Sequence, residues 1–173
     1  MTTPKSFRQL ALESARTQIG VTETPYGSNL GPKVEMYQDA TDAGVHGFAW
    51  CAAFVSWNLK RAGYNVKQIP NRASVGFFLS WATKMGYVKT RPYRGDLVCY
   101  QFDHDSWPDH IGHVERVLSL RPVGYLLLQT IEGNTSSGNA GSQSNGGGVY
   151  RRRRLVKRSR VAFIRIPGIP KGQ

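Results

Sequence analysis

Cysteine is scarce in this sequence. Its 173 residues include two, Cys51 and Cys99, in unlike surroundings, which argues against a disulfide scaffold and against a cysteine-rich zinc site. Long apolar runs are missing as well: pieces such as Leu126–Leu128 fall far short of the ~18 residues that would span a bilayer. The first dozen residues carry Lys5 and Arg8 and no apolar stretch, so no signal peptide is expected and export by the usual secretory route is not. Acidic residues are few, 11 against 23 lysines and arginines, for a formal charge of +12. That excess implies a polyanionic partner; charge alone does not choose among nucleic acid, an anionic membrane face and the phosphate-bearing polymers of a bacterial wall.

What is present points to a folded enzyme-sized unit. A hydrophobic fraction of 40% with 11% aromatic residues excludes disorder of the whole chain. The length suits one full core, so a single domain over 1–173 is expected, its core at about 4–166. No internal repeat is visible.

Thr3-Pro4 reads as a helix start, and apolar residues at helical spacing carry the segment to Ile19, with Gly20 behind it. A loop over Thr22–Gly31 precedes a short helix at Pro32–Gln38. A buried helix runs from Cys51 to Ala62 and ends at Gly63, and another spans Ala73–Lys84. Phe77, Phe78 and Trp81 in the latter read as core. After Gly86 the period shifts from 3.6 toward 2, and six strands are expected: Tyr87–Thr90, Asp96–Phe102, Ile111–Leu120, Gly124–Ile131, Val149–Val156 and Val161–Ile166. Helices first and strands afterwards indicate an α+β domain with N-terminal helices packed on a six-stranded antiparallel sheet. Asn134–Gly148, rich in Gly, Ser and Asn, reads as a long hairpin loop or flap.

Cys51 opens its helix, where free backbone N–H groups and the positive end of the macrodipole stabilise an anion. A cysteine nucleophile needs a base, ordinarily histidine, and a third group that orients the imidazole. In Asp109-His110-Ile111-Gly112-His113, strand alternation sends His110 and His113 to opposite faces, so at most one of them shares a cleft with Cys51. His110, at the mouth of the strand with Gly112 behind it on the same face, is the choice. On the next strand Thr130, Glu132 and Asn134 share a face by the same rule, and either Glu132 or Asn134 could orient the ring. Cys99 in its apolar strand reads as a core residue, and His46, His104 and His113 as structural or surface residues. The run Arg151–Arg154, with Lys157, Arg158 and Arg160, reads equally as a solvated sheet edge or a polymer contact.

Four motifs, in order, resemble the CHAP family of cysteine- and histidine-dependent amidohydrolases and peptidases in the papain-like superfamily. They are Trp50-Cys51-Ala52-Ala53-Phe54-Val55-Ser56-Trp57 with Ala62-Gly63, Gly95-Asp96-Leu97-Val98, His110-Ile111-Gly112-His113-Val114, and Ile131-Glu132-Gly133-Asn134-Thr135. The likeness covers about 19–166. It implies Cys51 as nucleophile, His110 as general base and then acid, and Glu132 as the orienting group, with Asn134 as alternative or auxiliary. It also implies a substrate in bacterial peptidoglycan, cut at the muramoyl–alanine amide or within the peptide. The chain departs from the pattern at His113, where the family commonly has an aliphatic residue. Some phage members bind calcium before the cysteine; here Asp39 and Asp42 supply too few carboxylates, and neither a metal nor a cofactor is expected.

Trp50, Trp107 and Tyr26, flanked by loops, are the expected substrate contacts. A monomer is expected, with peptidoglycan as partner, anionic wall polymers as a second contact and no nucleic acid. Absence of a leader fits a phage lysin made in the host cytoplasm and released to the wall, and equally a secreted enzyme whose leader was removed. The rival readings are a non-catalytic polyanion-binding module and an amidase on a small soluble conjugate.

Overall fold

The computed structural model describes residues 4–103, 107–120, 124–138 and 141–170. Four helices come first: α1 (Phe7–Arg16), α2 (Pro32–Gln38), α3 (Cys51–Arg61) and α4 (Val75–Lys84). Six strands follow: β1 (Val88–Lys89), β2 (Leu97–Tyr100), β3 (His110–Leu120), β4 (Tyr125–Thr135), β5 (Gly148–Lys157) and β6 (Val161–Ile164). All pairings are antiparallel, in the order β1-β6-β2-β3-β4-β5. The α+β architecture expected from the sequence is the one observed.

The first helix is shorter than its periodicity suggests. Ser6 begins it, with its backbone N–H and hydroxyl both donating to Gln9 Oε1 at 2.8 and 2.9 Å, so a backbone donor at the helix start is satisfied by a side chain. The expected cap Thr3 lies outside the described residues, as does His104. In α4, Phe78 and Trp81 are buried, whereas Phe77, turned to the next position on the helix, is about half exposed.

The two sheet faces bury different things. On one, Leu97, Cys99, Ile111, Ile131 and Val149 meet α1, α3 and α4. Tyr37, Trp50, Phe54 and Trp57 cluster there, with Tyr37 at 5.1 to 5.7 Å from the other three rings; each such pair stabilises by about 0.5–1.5 kcal/mol beyond its buried area. On the other face Val98, Tyr100, Val114, Leu126, Leu128, Val156 and Phe163, all from strands, form a second core. Among the described residues no helix contributes to that cluster.

Two glycines set the close approach of these layers. A side chain on Gly133 would meet Phe54 Cγ and a Trp50 ring carbon at 2.7 Å, so α3 seats directly on β4. One on Gly112 would meet Glu132 Cγ at 2.6 Å, so the space beside His110 is filled by Glu132.

Candidate active site

The site forms where the start of α3 meets the start of β3. Cys51 is the first residue of α3, so its N–H has no partner within the helix. The preceding residue is pinned from across the fold: the Trp50 N–H donates to Asn134 Oδ1 at 3.0 Å, and the Trp50 indole Nε1–H donates to Glu23 Oε1 at 2.8 Å. Lys60 and Arg61 stand in the last turn, where cations suit the helix dipole.

His110 opens β3 and is fully buried, its ring at 5.9 and 6.0 Å from Tyr100 and Phe102 in stacked arrangement. Its Nε2 lies 3.0 Å from Glu132 Oε2, which assigns the Nε2 proton to a bond with the carboxylate and leaves Nδ1 to take or give a proton. Nδ1 itself makes no well-formed hydrogen bond, yet the Cys51 thiol lies close enough to act on the ring. Burial lowers the His110 pKa, but the hydrogen-bonding and charge interactions with Cys51 and Glu132 outweigh it and raise the value to about 9.

Glu132 is fully buried and saturated with donors. It accepts from the Thr130 hydroxyl at 2.6 Å, the Tyr100 hydroxyl at 3.0 Å, and Arg154 through Nε at 3.1 Å and Nη2 at 2.5 Å. Burial works against its charge, yet the bonds from His110 and Arg154 hold the carboxyl well below the usual range. Glu132 is therefore an anion that keeps its lone pairs committed, the condition under which a buried carboxylate fixes an imidazole in one orientation.

A model of the CHAP domain matches residues 43–134. The chain belongs to the CHAP family. Neither the curated proteins nor the solved structures returned a match. CHAP proteins are generally cysteine- and histidine-dependent amidohydrolases, and the matched stretch contains Cys51, His110, Glu132 and Asn134.

In this CHAP chain the four residues divide into two groups. Cys51, His110 and Glu132 form a continuous row, while Asn134 points elsewhere. The period-2 rule carries Thr130 and Glu132 onto one face, but the β4–β5 register shifts between Glu132 and Thr135, and Asn134 takes a left-handed φ of 57°. Its side chain thereby leaves the His110 face; it accepts from Trp50 and donates to Gly146 O at 2.9 Å and Asn29 Oδ1 at 3.1 Å. Asn134 thus shapes the backbone leading into Cys51 and does not orient the imidazole.

Of the three expected contacts, Trp50 is fully buried in the aromatic cluster, its indole N–H bonded to Glu23, so no face of the ring is open to a substrate. Trp107 and Tyr26 are exposed, the first lying over Gly76 at the start of α4 and the second over Gly147. His113 faces the helix side, fully buried against Phe54, with both ring nitrogens unpartnered.

Sequence reasoning missed Arg154, Tyr100 and Glu23, and placed Thr130 beside Glu132 without giving it a role. Arg154 was visible within a charge run in which it is buried and Arg153 exposed; alternation, applied residue by residue, separates Arg152 and Arg154 from Arg151 and Arg153. Arg152 and Arg154 also tie down the β4–β5 loop: both donate to Gln143 Oε1, at 2.7 and 2.6 Å, and Arg152 Nη1 donates to Ser136 O. The stretch expected to be a long hairpin loop or flap is, in its described residues, strapped to Arg152 and to Arg154, the latter also holding Glu132.

Proposed function

We propose that this protein is a peptidoglycan hydrolase that cleaves an amide of the bacterial wall by a thiol mechanism, with Cys51 as nucleophile, His110 as proton carrier and Glu132 as orienting anion. The observation that carries the reading is the buried row Cys51–His110–Glu132 at the start of a helix, within the stretch matched by the CHAP model.

In this mechanism the Cys51 sulfur, its proton taken by His110 Nδ1, attacks the amide carbonyl and forms a C–S bond, and the negative charge moves to the carbonyl oxygen, where the Cys51 N–H donates to it. His110 gives its Nδ1 proton to the amine nitrogen as the C–N bond breaks, leaving a thioester. Water, losing a proton to Nδ1, then attacks the thioester and releases the acid, and the C–S bond electrons return to sulfur. Asn134 contributes by holding Trp50, and hence the first turn of α3, in place. Trp107 and Tyr26 are the side chains we assign to contact the wall chain.

The test is turbidity loss of purified Gram-positive sacculi with wild type and Cys51→Ala, followed by mass spectrometry of the new termini. Clearing by wild type alone, with new amine and carboxyl ends, is expected and identifies the bond. Equal behaviour of the two proteins on sacculi of several chemotypes contradicts the proposal. It would move the function to a small soluble amide or to binding without turnover.

A further inference from the structure

A cavity of about 640 Å³ lies away from Cys51. It lies beside the far half of β3, lined by Arg16, Arg91, Tyr93, Arg94, Glu115 and Arg116 among others. Arg116 is six residues from His110, roughly 20 Å along the strand at about 3.3 Å per residue. β2 pairs with β3 only over His110–His113, so β3 from Glu115 onward is open on the β2 side and forms one wall of a groove. The segment before β2, carrying Arg91 and Arg94, forms the other.

The charges in this groove do not cancel. Glu115, its one carboxylate, is already shared by Arg16 at 2.8 Å and Arg151 at 2.6 Å, and also accepts from Gln129. Arg91, Arg94 and Arg116 are exposed, and their guanidinium groups form no ion pair or hydrogen bond among the described residues. Three uncompensated guanidinium forks on two walls of one concavity match the oxygens of phosphate groups repeated along an extended chain. The aromatic surface is poor: Tyr93 is the only ring, and Arg165 covers it at 4.3 Å from the centroid. A single-stranded nucleic acid, which stacks successive bases on a series of rings, finds one half-exposed ring here.

We infer that the groove between the 91–94 segment and the open edge of β3 is a binding site for a polyol-phosphate chain, separate from the catalytic row and gripping it through Arg91, Arg94 and Arg116. The choice of polyol phosphate rests on the wall reading above. The groove's affinity for such a chain does not depend on catalysis, so the binding titrations use Cys51→Ala protein.

Fluorescently labelled poly(glycerol phosphate) is titrated at several salt concentrations into this protein, into a groove variant (Arg91→Gln, Arg94→Gln, Arg116→Gln) and into a charge-matched control (Arg153→Gln, Lys157→Gln, Arg158→Gln). Binding that weakens with salt is expected, with roughly tenfold or greater loss in the groove variant and less than about threefold in the control. Otherwise wild-type protein with the groove substitutions alone should cleave a soluble amide substrate at the parent rate. Equal losses in the two variants would overturn the site in favour of diffuse charge, as would no binding at all. Tighter binding of single-stranded DNA or polyglutamate than of the polyol phosphate, lost in the groove variant, would overturn the ligand class. Failure of sacculus cleavage with the groove result intact would sink the catalytic reading alone.

Discussion

His110 and His113 lie three residues apart on one strand, both with no exposed surface, and they are opposite in character. His110 stands on the sheet face of Glu132, Tyr100 and Phe102, where the start of α3 brings the Cys51 sulfur near its ring, and its pKa is pushed up to about 9. His113 stands on the helix face against Phe54 with no partner for either nitrogen, and burial alone pushes its pKa down to about 3. Burial is common to both, so the partners decide the difference. A buried histidine beside a carboxylate and a thiol is held in its charged form; one without them is held neutral and leaves polar atoms unpaired.

The largest expected effect breaks the row on the working side. Cys51→Ala and His110→Ala should each lower the cleavage rate by roughly 10⁴-fold or more, because members of a nucleophile–base unit fail together. His113→Leu should leave the rate within a few-fold; comparable losses at positions 110 and 113 would erase the contrast.

Next is the anion that makes His110 different. Arg154→Met removes two of the donors to Glu132 and leaves a buried carboxylate with less than its share of positive charge. A loss of about 3–5 kcal/mol in denaturant unfolding is expected, together with weaker seating of Gln143 and the loop it anchors. Arg154→Lys should restore part of the stability, a point charge replacing a bidentate fork.

The pH response sharpens the comparison further because the two histidines act at opposite ends. A His110 pKa raised from an ordinary 6.5 to about 9 stabilises the fold fully below about 6.5, and that contribution is lost as pH rises through about 9, of order 3 kcal/mol in all. Turnover should fall over the same alkaline range, as the proton needed by the leaving amine is lost. Glu132, shifted down, stabilises above its ordinary range and loses that contribution only in strong acid. His113 works the other way from His110: with its folded pKa below the unfolded one, the unfolded state takes the proton first, so stability declines as pH drops below about 6.5 toward 3. Unfolding midpoints measured from acid to alkaline pH, with His110→Ala and His113→Leu beside wild type, separate the two limbs.

The smallest effect is a gain. His113→Leu replaces two unpartnered buried nitrogens with apolar volume and should stabilise the protein by about 1–2 kcal/mol at neutral pH, and by more in mild acid. Calorimetry at two pH values checks both the sign and the pH dependence.

Much of this contrast was legible in the chain. Strand alternation alone sends residues 110 and 113 to opposite faces, and a cysteine opening an apolar helix stands out against a sequence with so few cysteines. The helices and all six strands emerge from periodicity to within a few residues at each end. What stayed hidden depends on where strands break register and on which distant segments meet. Asn134 escapes the alternation rule through a bulge and a left-handed backbone. Arg154 hides in a run of four arginines whose alternate members face opposite ways. Glu23 joins Trp50 from 27 residues away, and no local pattern signals it.

The most direct measurement is an NMR titration of protein labelled with ¹³C and ¹⁵N at histidine, the ring signals assigned by their loss in His110→Ala and His113→Leu. The account predicts an imidazolium at His110 at neutral pH that persists to about 9, and a neutral His113 down to at least about pH 4. A neutral His110 at pH 7, or a His113 that titrates near the ordinary 6.5, would contradict the claim that the Cys51–His110–Glu132 row holds the charge.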